Sequence, residues 1–416
     1  MGFALVRRLA HIARRLYELL LLGLAVLWRT LLVRTTVIAV TGSVGKTAAK
    51  DYLSAMLAAQ APTVSTIGNR NAGSGMARVL LGARPWRHRY VVIEIGSAVR
   101  GGMVRGSFVI RPDVVVLLAV APTHTTEFRS LEETAREKAA LMRFMNRSGI
   151  VVLNGDDPRV AAMTTPPGCR IVTFGSSENH DIRVTGAVSQ WPDRLAFRAT
   201  LAGETWDVRT RAVGAHWAPA VAGALATAWA VGADVGMAFR AVQAVEPFLG
   251  RMQPVDLPNG AVMLRDEALG DVHSAEAALE VLREAKAQRR LLVLSDCSDF
   301  PQHYRHRHRH LARLAAESCD AAVYVGEKAG NLAKQTIRAG MPAESVRSFL
   351  TLEETAGYLK AEIRAGDLVL LKGRVTDHLT RLYFAQIGPV KCWKGYCPLH
   401  RVCDSCKMLG ASPPTN

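Results

Sequence analysis

Residues 35–50, TTVIAVTGSVGKTAAK, constrain this chain more than any other stretch. Val37, Ile38, Ala39 and Val40 form an apolar run rich in β-branched side chains, of the kind a parallel sheet buries on both faces. The run breaks at Thr41-Gly42-Ser43-Val44-Gly45-Lys46-Thr47, and an alanine-bearing helical pattern continues to Leu57. A strand that turns through glycines into a helix aims backbone N–H groups and the positive helix end at one point, which suits a polyphosphate. Lys46 then meets the outer phosphates, and the Thr47 hydroxyl is a ligand for Mg²⁺. Val40 stands where the strict G-x-x-x-x-G-K-[ST] pattern has its first glycine, so the competing reading is a structural glycine turn followed by a chance Lys-Thr.

The remaining composition bounds the partners. A chain of 416 residues is long enough for two or three domains, and 49% hydrophobic with 21% charged residues is globular rather than disordered. The net charge of +16 favours acidic partners: nucleotide phosphates, anionic lipid headgroups or nucleic acid. Nucleic acid is not expected, because charge alone argues for it. Seven cysteines, four of them crowded at the C-terminus, do not suit a disulfide framework in what reads as an intracellular ATP user.

Residues 1–34 carry Arg7, Arg8, Arg14 and Arg15 ahead of an apolar run, residues 17–28, that is interrupted by Glu18 and ended by Arg29. The run is shorter than the roughly 20 residues that span a bilayer. It reads as an interfacial helix on the membrane, with arginines on anionic headgroups, or as a helix packed on the protein's own core or a partner. The first reading makes the protein cytoplasmic and peripheral on the inner face of the cell membrane.

Further motifs follow in order. Thr66-Ile67-Gly68-Asn69 with Asn71 and Gly75 precedes a helix; the apolar residues 90–93 end in Glu94; and residues 114–120 lead into Ala121-Pro122-Thr123-His124 and Phe128, with Lys138 on the next helix. Residues 150–158 read as a strand and an N-x-D-D-P turn, followed by Thr173-Phe174-Gly175. Alternating apolar residues across 180–212 suggest a small antiparallel appendage. An alanine-rich helix begins near Gly214 and His216, and Leu249-Gly250-Arg251-Met252 opens a second set of α/β segments that includes Asp266.

This succession resembles the Mur ligases, ATP-dependent amide-forming enzymes of cell-wall assembly, and is most like the D-alanyl-D-alanine-adding members over about residues 35–385. The resemblance implies an α/β architecture: a central phosphate-loop ATPase domain with a mostly parallel sheet, then a smaller Rossmann-like C-terminal domain. The expected boundaries are 1–34 for the basic apolar helix, 35–248 for the central domain, 249–390 for the C-terminal domain and 391–416 for a cysteine-rich tail. By resemblance Thr41, Gly42, Ser43, Val44, Gly45, Lys46 and Thr47 hold ATP together with His216, Arg251 and Asp266, and catalysis requires closure about a hinge near Gly250. Mg²⁺ falls to Thr47 and Glu94, and a second metal to His124 and a carbamoylated Lys138; the competing reading pairs Lys138 with Glu132, Glu133 or Glu137 on its own helix. The implied reaction activates a carboxylate as acyl phosphate for attack by an amino acid or amine.

Two departures bear on substrates. Trp217 and Ala220 replace asparagines that hold the adenine end in the family, and Arg265 to Ser274 read RDEALGDVHS where the D-alanyl-D-alanine-adding members have D-D-S-Y-N-A-N-P-x-S. No N-terminal UDP-sugar domain is recognisable, so the acceptor is expected to be a membrane-associated envelope glycan or peptide; the alternatives are the UDP-linked peptide itself, or a non-catalytic ATP-binding scaffold. Two clusters stand outside the resemblance. HYRHRHRH, residues 303–310, reads as a solvated basic face or as a site for phosphate or metal. Cys392, Cys397, Cys403 and Cys406 suit a structural Zn²⁺ site that would stabilise a tail too short for its own core, with iron–sulfur ligation or redox thiols as alternatives.

Overall fold

The structure, a computed structural model, describes residues 2–68, 73–97, 99–122, 128, 130–295, 304–399 and 401–410, and the side chains of residues 2–10, 304 and 305 lie outside that description. The chain divides into two compact units. The first comprises Met1–Ala187, Ala196–Thr210 and Trp217–Val245; the second comprises Val188–Leu195, Arg211–His216 and Glu246–Asn416.

The first unit is built on strands β1 (Thr36–Thr41), β2 (Thr63–Ser65), β3 (Tyr90–Glu94), β4 (Val114–Leu117), β5 (Ile150–Asn154), β6 (Arg170–Gly175), β7 (Ile182–Val188), β8 (Ala196–Leu201) and β9 (Glu204–Arg209). They hydrogen-bond in the order β2-β3-β1-β4-β5-β6-β7-β8-β9. β1 pairs in parallel with β3 and β4, so Val37 to Val40 are covered on both faces and fully buried, as an unbroken apolar run demands. The segment expected as an appendage instead extends this sheet: β7 continues it parallel to β6, and β8 pairs antiparallel with β9. Helices α1 (Gly2–Leu31), α2 (Lys46–Ala58), α3 (Ser74–Gly82), α4 (Gly102–Ile110), α5 (Leu131–Ala139), α6 (Pro158–Ala161), α7 (Ala218–Ala230) and α8 (Val235–Ala244) complete the unit. Gly223 of α7 permits close approach: a Cβ there would lie 2.8 Å from Leu118 Cδ2.

The second half of α1 packs on its own unit. Ala25 is buried, with Leu21, Leu22, Val26 and Trp28 against the same core, and Trp28 Nε1 donates to Ala83 O at 2.8 Å. Arg29 Nη2 meets Asp113 Oδ2 at 2.9 Å, and the same oxygen accepts the Val37 N–H at 2.8 Å, which ties the helix to the start of β1. Among the described residues no helix is long and apolar enough to cross a membrane.

The second unit carries β10 (Gln253–Asp256), β11 (Val262–Asp266), β12 (Arg289–Leu294), β13 (Ala321–Val325), β14 (Val346–Phe349) and β15 (Asp367–Lys372), in the order β10-β11-β15-β12-β13-β14. All pairs are parallel except β10 with β11. Its helices are α9 (Val272–Glu284), α10 (Tyr304–Ser318), α11 (Ala329–Arg338), α12 (Leu352–Glu362) and α13 (Thr380–Ile387). The His/Arg cluster opens α10, with His303 outside the described residues. It is neither a uniformly solvated face nor a gathered ligand set: His308 is buried, its Nδ1 3.3 Å from Asn331 Nδ2, and His310 Nε2 lies 2.7 Å from Glu276 Oε1 of α9.

The tail also departs from expectation. Among the described residues no group of three or more His, Cys, Asp or Glu side chains is placed to hold a metal, so the four-thiolate Zn²⁺ cluster of Cys392, Cys397, Cys403 and Cys406 is not what the structure presents. The tail uses the unit's core instead. Cys403 and Leu409 are buried there, Cys403 Sγ lies 3.4 Å from His378 Nδ1, and burial first of all pushes the Cys403 thiol up to about 11. Arg265 grips Asp404 through both oxygens at 2.7 and 2.9 Å while also pairing with Glu267.

Candidate active site

The phosphate loop leaves β1 at Thr41, whose buried hydroxyl donates to Ile95 O at 2.9 Å. The Ser43 N–H donates to Ala119 O at 2.7 Å and its hydroxyl to Ala121 O at 3.0 Å, so the loop is stitched to the end of β4. Lys46 Nζ donates to Gly42 O and Ser43 O at 2.8 and 3.0 Å, folding the ammonium over the loop. Gly45 has φ +79°, left-handed backbone that glycine adopts without penalty, and α2 starts immediately after it with no side-chain cap. Its first N–H groups therefore suit an anion. A Cβ on Gly42 would lie 3.0 Å from Leu118 Cβ and 3.2 Å from Ala119 N. Gly42→Ala is accordingly expected to weaken nucleotide binding about tenfold or more and to cost about 1–2 kcal/mol of stability; titration calorimetry and thermal unfolding check both.

Glu94 ends β3 in register with Val40 of β1, and it is buried. Its N–H donates to Thr66 Oγ1 at 3.1 Å. The Glu94 carboxylate and the largely buried Thr47 hydroxyl are hard oxygen donors of the kind Mg²⁺ takes. Lys138, on α5, is also buried; burial first, and then the Lys46 charge, push its pKa from 10.5 down to about 7. An amine at that value is substantially neutral, and so nucleophilic, near neutral pH. His124 lies outside the described residues, as do Asn69 and Asn71. A cavity of about 310 Å³ lined by Arg100, Phe128, Glu133, Arg136 and Glu137 opens along the same helix.

Two further residues shape the site: Lys50, which sequence did not single out, and Glu137, which entered only as a competing partner for Lys138. Lys50 is buried one helical turn beyond Lys46, donates to Thr66 O at 2.8 Å and pairs with Asp51, so it fixes the turn beside Glu94. Glu137 accepts the Gly101 and Met103 N–H groups at 2.9 Å each, which sets α5 against α4. The four-residue interval from Lys46 to Lys50 is a signal for the first; no local pattern marks the second's contact with α4.

In the second unit Asp266 ends β11 beside Lys372, which ends β15 in register with it. Lys372 Nζ lies 2.8 Å from Asp266 Oδ2 and 3.1 Å from Ser274 Oγ, and it also donates to Leu269 O. Asp266 Oδ1 accepts the Met252 N–H at 3.0 Å, and burial raises the Asp266 pKa against the opposing pull of Lys372 and Arg251. His216 keeps an exposed edge, yet the protein around its ring and then the Lys372 charge push its pKa down to about 4. Its ring lies over Gly214, at φ +109°, where a Cβ would fall 2.4 Å from His216 Cε1. The structure thus gathers His216, Asp266 and Met252 around Lys372, a hub that the sequence did not mark. In the first unit Trp217 is buried, and Ala220 lies against Gly45 of the phosphate loop, its Cβ 3.5 Å from where a Cβ there would stand.

A phosphate loop on a parallel sheet, a buried strand-end carboxylate and a second parallel α/β unit define an α/β nucleotide-dependent enzyme. The Mur ligase middle domain matches residues 40–228, and the Mur ligase glutamate ligase domain matches residues 250–375. The UDP-N-acetylmuramoyl-tripeptide–D-alanyl-D-alanine ligase of Mycobacterium tuberculosis (strain CDC 1551 / Oshkosh) is 30% identical over 361 residues, covering 81% of this chain and 70% of that protein. A crystal structure of MurF from Acinetobacter baumannii superposes with a TM-score of 0.80 at 25% identity, covering 88% of this chain and 79% of the other. MurF from Thermotoga maritima, solved in complex with ADP, shares the fold with a TM-score of 0.75 at 20% identity, over 87% and 82%. The chain belongs to the Mur ligase family. It is an ATP-dependent carboxylate–amine ligase of the Mur type.

Proposed function

We propose that this ligase joins an amino acid or amine to a carboxylate of a cell-envelope glycan or peptide precursor, working on the cytoplasmic face of a membrane. ATP lies on residues 41–47 with Lys46 against its outer phosphates, and His216, Arg251 and Asp266 serve the nucleotide from the second unit. Thr47 and Glu94 would hold Mg²⁺, and Lys138, once its neutral amine has taken up CO₂ as a carbamate, would hold a second ion together with His124. Such ions supply neutralisation of the charge that develops on the transferring phosphoryl group.

An oxygen of the acceptor carboxylate attacks the γ-phosphorus, the bond to ADP breaks, and an acyl phosphate results. The amine nitrogen then attacks the acyl carbon, phosphate leaves with the C–O electron pair, and the nitrogen loses a proton to give the amide. Lys46 offsets charge on the phosphoryl oxygens in the first step. The observation that carries this reading is Lys138: a lysine beside Lys46, buried and held near pH 7, has the chemistry carbamoylation requires.

The acceptor is less constrained. The activity for which the relatives are named suggests a UDP-N-acetylmuramoyl-tripeptide and D-alanyl-D-alanine, whereas Glu267, locked between Arg265 and Thr380, marks a changed amine-facing segment. Phosphate release from ATP, screened with that pair and with amino acids against envelope extracts, discriminates between them. Stimulation by extract plus one amino acid is the expected result; stimulation by the UDP-linked pair alone favours the second acceptor; and no stimulation by any pair refutes ligation.

A further inference from the structure

The outer face of α1 has no counterpart in the first unit's core. Ile12, Leu16, Leu20, Leu24, Leu27 and Leu31 are each more than half exposed, Leu20 and Leu27 at 67%. At 100° per residue, the stripe from Ile12 to Leu24 spans about 120° of the helix, opposite the face that carries Ala25 and Arg29 inward. Next to the end of this helix is a second exposed feature. The loop 83–89 reads ARPWRHR; Trp86 is 86% exposed, and Arg84, Arg87 and Arg89 are exposed around it. Three hydrogen bonds fix that loop to the exit from α1: Trp28 Nε1 to Ala83 O at 2.8 Å, Thr35 Oγ1 to His88 O at 2.8 Å and Thr36 N to Arg89 O at 2.9 Å. Val33 and Arg34, both exposed, lie between the two.

We propose that the outer stripe of α1 and the loop 83–89 form one docking surface for an anionic lipid bilayer. The stripe inserts its leucines at the headgroup boundary, Trp86 sits at the interface where an amphipathic ring is favoured, and Arg34, Arg84, Arg87 and Arg89 meet lipid phosphates. A second copy of the chain fits less well. Although Leu20 to Leu27 and Leu24 to Leu31 are seven residues apart, the stripe spans about 120° and is broader than a coiled-coil seam. The surface lies at the start of β1 and β3, while the phosphate loop leaves the opposite end of β1, six residues or about 20 Å away. Docking therefore leaves nucleotide access open. This deepens the membrane part of the reading above and is independent of ligation.

Co-sedimentation of the full-length protein with vesicles tests it. The protein is expected to pellet with phosphatidylcholine–phosphatidylglycerol vesicles, less with phosphatidylcholine alone, and less as salt rises. Leu20→Glu/Leu27→Glu should lower partitioning about tenfold or more, and Trp86→Ser/Arg87→Glu about fivefold or more, with thermal unfolding and ATP-dependent phosphate release unchanged. Absence of wild-type binding to the anionic vesicles, or equal binding by the variants, would overturn the proposal. So would a dimer in sedimentation velocity that Leu20→Glu/Leu27→Glu splits without any vesicle association.

Discussion

Lys46→Ala should lower acceptor-stimulated phosphate release by about 10²–10³-fold, the cost of removing one preorganised positive group from a transferring phosphoryl. Folding should be little affected, because the carbonyls of Gly42 and Ser43 that accept from the ammonium can be satisfied by water once it is gone. Circular dichroism and thermal unfolding establish the second point, and initial rates with saturating acceptor the first. Wild-type rates in the variant would remove the phosphate loop from the chemistry.

Lys138→Met is expected to abolish product formation and, unusually for an inactivating change, to stabilise the protein at neutral pH. Burial lowers the lysine pKa from 10.5 to about 7, so the native state binds its proton less readily than the unfolded chain does. The resulting destabilisation is fully present below pH 7 and fades as pH rises towards 10.5, and its size is on the order of 5 kcal/mol. In CO₂-free buffer, wild-type stability should thus gain on that of Lys138→Met between pH 7 and 10, and denaturant titrations across that window measure the difference. A constant difference would mean that the lysine is charged and paired in the fold. Retained activity would remove it from the metal site.

How far the sequence led depends on which physical signal each element carries. The β1–loop–α2 unit was legible because period and punctuation agree: a fully apolar strand, glycines where backbone must turn, a helix immediately after. The apolar strand that ends in Glu94 was legible for the same reason. The run 17–28 was ambiguous because both faces of α1 are apolar, and only contacts distinguish Ala25, against the core, from Leu24, against solvent. In the His/Arg cluster alternate residues of a helix point about 200° apart, so one histidine had to turn inward, and His308 does. The tail misled because four cysteines suggest a metal whenever a segment lacks its own core; here Asp404 and Cys403 borrow the second unit's core through Arg265 and His378. Lys372 escaped notice because an apolar strand gives no sign of what its last residue will meet.

Labelling the acceptor carboxylate with ¹⁸O and weighing the phosphate released during amide formation tests the central chemistry most directly. Transfer of the γ-phosphoryl group to that carboxylate predicts one ¹⁸O in each phosphate released. Phosphate free of label, produced at the same rate as the amide, would contradict it.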